Sequence, residues 1–171
     1  MNKEVLQSFV GKVVKVNRGG PESRVGKLLG VGEDHFTILT EQDGVVYYQT
    51  HHIKSLTENA KKGIEFNVEI LEELEYMSAP TLSAVLESIK YSWVKINRGG
   101  KDSIEGVLES SNDDFITVVF NEEVIRLSMF HIQSISYGKK IEKAKQENEE
   151  ANKEKSKNKN KNEKEDKSKE G

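Results

Sequence analysis

Two arginines, each followed by two glycines, are the first residues of this sequence that could bind a ligand. Arg18-Gly19-Gly20 and Arg98-Gly99-Gly100 lie 80 positions apart. One hypothesis is an anion site, since glycine amides can form a small nest beside the guanidinium. The favoured interpretation is a structural turn in which the arginine bonds to neighbouring carbonyls, because a Gly-Gly pair needs no ligand to explain it.

Histidines are the second candidate. His51 and His52 are adjacent, and only the second recurs, as His131, while Phe130 takes the place of His51. On a strand, adjacent side chains point to opposite faces, so this pair is poorly placed to hold one metal ion. A metal site or an acid–base role is therefore not favoured. His52 and His131 are predicted to bond to the backbone and fix a turn.

Three aromatic residues could form a stacking surface for single-stranded RNA. They are Phe36, Tyr47 and Tyr48. Ile116, Arg126 and Leu127 stand at the corresponding later positions. Because apolar character persists at two of these positions while the rings do not, core packing is the favoured interpretation.

No catalytic set stands out in the sequence. It has no cysteine, no Gly-x-Ser-x-Gly, no Walker loop and no convincing pair of carboxylates. Asp34 and Asp114 fall in predicted turns, where aspartate is common. The sequence therefore predicts a protein that is not an enzyme, with no catalytic, cofactor-binding or metal-binding residues and no cofactor.

A duplicated module positions these candidates. Asn17-Arg18-Gly19-Gly20 returns unchanged as Asn97-Arg98-Gly99-Gly100, and the similarity extends over nearly the whole of both copies. We predict a first repeat over 1–57, an acidic connector over 58–80, a second repeat over 81–138 and a low-complexity tail over 139–171. Modules of roughly fifty to sixty residues are only marginally stable alone, so the repeats are expected to be stabilised by contact with each other or with partners.

Each repeat is predicted to contain one short amphipathic helix and five short strands. The first helix covers 3–10, and Thr81 is expected to cap the second. Strands are predicted over 12–17, 24–31, 35–39, 45–49 and 53–56, and over 92–97, 104–110, 115–119, 124–128 and 132–135. Gly26 and Gly106 are predicted to mark a bulge or a sharp bend.

This layout predicts a mainly β protein. One helix followed by five bent strands is typical of a small SH3-like or Sm-like β-barrel, and two such barrels are expected in tandem. In the connector, Ile64, Phe66, Val68 and Ile70 alternate with polar residues, which predicts one more strand. The charged tail lacks aromatic residues, so we expect it to be partly helical over 140–151 and otherwise disordered.

Charge is divided unevenly along the chain. The net charge is −3, but the segment from Lys139 onward has 12 lysines against 9 acidic residues, which leaves the first 138 residues at −6. An acidic body disfavours nucleic acid, although an Sm-like RNA-binding protein is kept as the alternative function. No apolar run approaches the roughly twenty residues of a membrane span, and no secretory signal begins the chain. Synthesis in a cytoplasm, with no membrane partner, is expected.

Several segments, in order and in both copies, resemble the spore coat protein B family. They are Val16 to Ser23 (VNRGGPES), Gly26-Lys27-Leu28, Gly44 to Tyr48 (GVVYY) and His51 to Leu56 (HHIKSL). The resemblance implies a structural component of the outer coat of bacterial endospores, made in the mother cell cytoplasm and deposited in the spore coat. It implies other coat proteins as partners, and small modules with exposed strand edges could also self-associate.

Two features of this sequence depart from that family's pattern. The second copy reads Arg98-Gly99-Gly100-Lys101-Asp102, without the Pro-Glu of the first. The tail also lacks long serine-rich repeats and holds only Ser156 and Ser168. The resemblance also implies a coat kinase as a candidate partner that acts on the tail, but so few serines argue against heavy phosphorylation here.

Overall fold

A computed structural model describes residues 1–68, 74–99 and 101–138. Residues Met1–Lys140 form one compact unit that includes both repeats. The predictions for the tail, 139–171, and for Ile70 in the connector lie outside the described residues, as does Gly100.

Two short α-helices, two 3₁₀ helices (Thr50–His52 and Met129–His131) and ten strands are formed by the described residues. The first repeat contains α1 (Lys3–Gln7), β1 (Val13–Val16), β2 (Arg24–Val31), β3 (His35–Thr40), β4 (Gly44–Gln49) and β5 (Leu56–Thr57). The second contains α2 (Leu82–Ser88), β6 (Trp93–Ile96), β7 (Ile104–Ser111), β8 (Phe115–Phe120), β9 (Glu123–Ser128) and β10 (Ser134–Tyr137). As predicted, Thr81 caps α2: its hydroxyl accepts a hydrogen bond from the backbone N–H of Ala84 at 3.3 Å.

All ten strands join one antiparallel sheet. Their order is β5-β1-β2-β3-β4-β10-β6-β7-β8-β9, so the two repeats meet where β4 pairs with β10. The mainly β class is confirmed, but the sheet is open rather than closed. Two separate barrels are not confirmed, because the outer edge of β4 is taken up by the other repeat.

The same pairing register recurs in both repeats. Val14 lies opposite Gly26 and Val94 opposite Gly106. The irregularity of each long strand comes later, between Leu28 and Gly30 and between Leu108 and Ser110. The prediction of a bulge at Gly26 and Gly106 was therefore wrong in position. These glycines instead permit close strand approach, since a Cβ at either would lie 2.5 Å from a carbonyl oxygen of the neighbouring strand.

Each repeat has its own buried core. The first consists of Leu6, Val14, Val16, Leu28, Phe36, Ile38, Val46 and Tyr48. The second consists of Leu82, Val85, Leu86, Ile89, Val94, Ile96, Leu108, Ile116, Val118, Ile132 and Ile135, together with Tyr47 of the first repeat. Core packing of Phe36, Tyr47 and Tyr48 is thus confirmed, and these rings offer no exposed surface on which RNA bases could stack.

The connector does not contain the expected strand in its described part. Residues 64–68 form no strand, and the backbone N–H of Asn67 donates to the side chain of Glu41 at 2.6 Å. Further along, the hydroxyl of Tyr47 donates to the carbonyl of Met77 at 2.7 Å. These two hydrogen bonds of the connector are therefore made to side chains of the first repeat and not to an edge of the sheet. Within the described residues, the helices fall short of the length and apolar character needed to cross a membrane.

Candidate functional site

The two repeats are joined by strand pairing, and this contact, which we call the junction, is the candidate functional site. Tyr48, Tyr47 and Val46 of β4 lie opposite Ser134, Ile135 and Ser136 of β10. The backbone N–H of Gln49 extends the ladder by donating to the carbonyl of Gln133 at 3.1 Å. Backbone hydrogen bonds therefore connect the repeats along the length of β10.

Strand β4 contributes to both cores because its side chains alternate between two faces. Val46 and Tyr48 pack into the core of the first repeat. Val45 and Tyr47 pack against the core of the second. Tyr47 is fully buried there, and burial raises the pKa of its hydroxyl. Strand β4 thus contributes side chains to both hydrophobic cores and also pairs with β10 through backbone hydrogen bonds.

Glu22, from the Arg-Gly-Gly-Pro-Glu segment of the first repeat, is buried in the junction with 6% of its surface exposed. One carboxylate oxygen accepts a hydrogen bond from the backbone N–H of Arg98, and the other accepts from the hydroxyl of Ser134 at 2.6 Å. The hydroxyl of Tyr48 donates to the backbone carbonyl of Glu22 at 3.1 Å. The motif loop of one repeat therefore binds the motif loop of the other.

The Arg98 side chain is completely buried in this contact. Its Nη1 donates to the carbonyl of Lys95 at 3.5 Å, and its Nε lies 4.0 Å from an oxygen of Asp43. Among the described residues, Nε and Nη2 have no hydrogen-bond partner. Burial lowers the pKa of Arg98, while the nearby charges of Asp43 and Glu22 act in the opposite direction. The charges of Asp43 and Glu22 thus offset part of the cost of burying this guanidinium.

Asp43 links this buried arginine to the first repeat. Its Oδ2 accepts a hydrogen bond from Nε of Arg24 at 2.7 Å. Burial alone would raise the pKa of Asp43, but the bond from Arg24 and the charges of Arg98, Arg24 and Lys95 together hold it below its ordinary value. Sequence reasoning missed Asp43, because the corresponding loop of the second repeat, Asn121-Glu122, is one residue shorter and gives no unambiguous counterpart.

The glycines of the two motifs have different roles. Gly20 has a φ of +88°, a conformation that side chains rarely adopt. A Cβ on Gly99 would lie 2.7 Å from the Cβ of Pro21, so the absence of a side chain lets the two loops touch. A Cβ on Gly19 would meet nothing within 4 Å.

The first copy of the motif lies elsewhere, next to β5 at one end of the sheet. Arg18 is exposed there, whereas Arg98 is buried. The turn itself is the same in both repeats: Asn17 and Asn97 have φ of 51° and 53°. Each Asn side chain accepts a hydrogen bond from a backbone N–H just after the 3₁₀ helix of its own repeat. Asn17 accepts from Lys54 at 2.9 Å, and Asn97 accepts from Gln133 at 2.8 Å.

The histidines lie in 3₁₀ helices, Thr50–His52 and Met129–His131, rather than on strands. The expectation that His51 and His52 point to opposite faces was therefore wrong, and their ring centroids are 4.1 Å apart. Nε2 of His52 lies 2.6 Å from the carbonyl oxygen of Phe130, so it bonds across the junction to the other repeat. His131 is exposed.

Asp34 also forms a hydrogen bond to the other repeat, although the sequence predicted only a turn residue at this position. Its Oδ1 accepts a hydrogen bond from the backbone N–H of Leu82, at the start of α2, at 2.8 Å. The equivalent Asp114 is exposed. Taken together, these contacts bind one protein module to another, and across the described residues no group of three potential metal ligands lies close together.

Spore coat protein B of Bacillus subtilis (strain 168) is 40% identical over 147 residues, which are 85% of this chain and 38% of that protein. The chain therefore spans well under half the length of that relative. No protein-family model matches the chain, and no solved structure matches it either. Identity of 40% over most of the chain assigns this protein to the spore coat protein B family.

Proposed function

We propose that this chain is a structural, non-enzymatic component of the bacterial endospore coat, and that it acts by protein–protein assembly of its two β repeats. The observation that carries the proposal is the likeness to spore coat protein B, at 40% identity over 85% of the chain. On this proposal the chain is made in the mother cell cytoplasm and resides in the outer coat.

The junction supports assembly as the mode of action. It shows how one repeat is bound by the other: a strand edge is paired and a carboxylate is buried against the Arg-Gly-Gly turn. An unpaired strand edge is a general template for binding another chain. Two linked modules raise the local concentration for a second contact, which suits the construction of a shell.

Within this proposal each repeat is a small open barrel of SH3-like or Sm-like layout. Its support is the shared order of one α-helix and five strands, and the buried core found in each repeat, which in the second also includes Tyr47. The motif residues Arg18, Gly19, Gly20, Arg98, Gly99, Gly100, His52 and His131 are proposed to serve structure and contact between modules. Other coat proteins are the proposed partners, and a coat kinase would find only Ser156 and Ser168 in the tail.

A fluorescent fusion followed through sporulation tests the proposed location. We expect a ring of signal on the forespore surface and recovery of the fusion in extracts of spore coats. A control fusion carries the same fluorescent protein without this chain and should remain diffuse in the mother cell. A fusion that stays diffuse in the same way, and that is absent from coat extracts, would overturn the proposal.

A further inference from the structure

The two ends of the sheet correspond to the two sides of the junction. Strand β9 ends the sheet on one side and occupies the position in the second repeat that β4 occupies in the first. Strand β5 ends it on the other side and corresponds to β10. Since β4 pairs with β10 inside the chain, β9 and β5 are equivalent to a pair of strands that bind each other.

We infer that a second copy of this chain binds at these ends, with β9 of one copy pairing with β5 of the next. The inference rests on the proposed function, because it names one partner in the assembly. Such a contact is head-to-tail, so repeating it produces a closed ring or an open filament rather than a two-fold dimer.

Backbone groups at both ends are already oriented for this pairing. The N–H of Met129 points inward to the carbonyl of Asp114 at 2.9 Å, as that of Thr50 does to Asp34 at 2.9 Å. Successive residues of a strand alternate in direction, so the N–H of Ser128 points outward, like that of Gln49 in the junction. The turn before β5, which would supply the accepting carbonyl, has the same conformation as the turn before β10. In both turns a backbone N–H donates a hydrogen bond to an Asn side chain.

An apolar side chain at the β9 end favours a protein partner. Val124 is 56% exposed. Val124 occupies the position of Val45, which packs against the neighbouring repeat in the junction. Burying such a side chain against a second copy removes apolar surface from water, which favours association.

Charges at the two ends are complementary. The ring of Tyr47 stacks on Tyr137 in the junction, with centroids 6.1 Å apart. The corresponding residues at the two ends of the sheet, as the described residues form it, are Arg126 and Glu58, which have opposite charges. Glu58 lies 3.3 Å from Lys12, but both are exposed, and such a surface pair contributes little. Glu58 therefore remains able to attract an arginine.

A second complementary contact repeats the role of Glu22. Asp102 stands at the corresponding position of the second repeat and is exposed. In a neighbouring copy it would meet Arg18 and Ser55, the counterparts of Arg98 and Ser134. The carboxylate at the β9 end and the Arg-Gly-Gly turn at the β5 end thus match the contact already formed within the chain.

Sedimentation velocity of the full chain at increasing concentration tests this inference. Ser128 has φ of −60°, which proline can adopt, and only its outward N–H would be lost. We expect Ser128→Pro to raise the concentration needed for assembly about tenfold or more. Ser128→Ala keeps the N–H and should assemble like the natural chain. Circular dichroism would show that both variants remain folded.

Charge reversal identifies the partner surface. Arg126→Glu and Glu58→Arg should each weaken assembly, whereas an equimolar mixture of the two variants should restore it, because each supplies the partner charge of the other. A chain that stays monomeric throughout, or one that forms a dimer unaffected by Ser128→Pro, would overturn the inference. A fusion that still localises to the coat in that case would leave the proposed function standing, and a diffuse fusion would overturn the function whatever the sedimentation shows.

Discussion

Glu22 and Asp102 stand at the same position of the two repeats, and only Glu22 is buried. Its carboxylate satisfies two donors that are removed from water, the N–H of Arg98 and the hydroxyl of Ser134. A buried donor without a partner costs about 1–3 kcal/mol. Glu22 therefore stabilises the junction by accepting hydrogen bonds from two buried donors of the other repeat.

We expect Glu22→Ala to lower the free energy of unfolding by about 1–3 kcal/mol for each donor left unsatisfied. Asp102→Ala is the matched control, and its effect should stay within about 0.5 kcal/mol, as for most surface changes. Urea unfolding of dilute protein measures both. Equal losses in the two variants would show that burial of Glu22 does not stabilise the junction.

Asp43 makes the junction sensitive to acid. Its folded-state pKa is lower than its ordinary value of 3.8, so folding favours the ionised form. That stabilisation is complete above the ordinary value and is lost as the pH falls through the folded-state pKa. Asp43→Asn should therefore be less stable than the natural chain at neutral pH, and the difference should shrink below about pH 4. Thermal unfolding across this range measures it, and a constant difference would contradict the assignment.

At the scale of elements, Gly26 and Gly106 allow neighbouring strands to approach closely. Each lies where a Cβ would come within 2.5 Å of a backbone oxygen on the next strand. We expect Gly26→Ala and Gly106→Ala to destabilise by about 1–3 kcal/mol, because backbone must move to admit the methyl group. Gly19→Ala has open space and is the control. Thermal unfolding of the three variants decides whether the stability of the fold depends on close approach of the strands at Gly26 and Gly106 or on the flexibility of the turn at Gly19.

Strand β4 is the element on which the two cores depend together. Truncation of a buried aromatic side chain costs about 3–5 kcal/mol, so Tyr47→Ala should destabilise strongly. Tyr47→Phe should cost only about 1 kcal/mol, from the lost hydrogen bond to Met77. Hydrogen exchange should show lost protection mainly in the second repeat, since Tyr47 belongs to that core. Loss confined to the first repeat would contradict this assignment.

The sequence predicted most strands to within two residues, because period-two alternation and the internal repeat reinforce each other. It did not reveal the pairing of β4 with β10, since alternation shows which face of a strand is buried and not which strand lies beside it. The difference between Tyr47 and Arg126, at corresponding positions of the two repeats, indicates which strand edge is covered. In the sequence alone it is only the loss of an aromatic ring, yet it distinguishes a covered strand edge from one at the end of the sheet.

At the scale of the whole molecule, the dependence between repeats is unequal. The core of the first repeat contains only its own residues, whereas the core of the second includes Tyr47. The second repeat also has its α2 N-terminus bonded by Asp34 and its motif turn bonded by Glu22. Modules of this size have little stability to spare, so the loss of such contacts should decide whether they fold.

We therefore expect a fragment of residues 1–80 to unfold cooperatively on heating, and a fragment of residues 81–138 to be largely unfolded alone. Adding the first fragment should restore structure in the second by supplying β4, Asp34 and Glu22. The protein's single tryptophan, Trp93, lies in the second fragment, so its emission reports that recovery. First fragments with Glu22→Ala should restore it less well, and those with Gly19→Ala equally well. Independent, cooperative folding of residues 81–138 at the stability of the full chain would mean that strand β4 joins the repeats without stabilising the second.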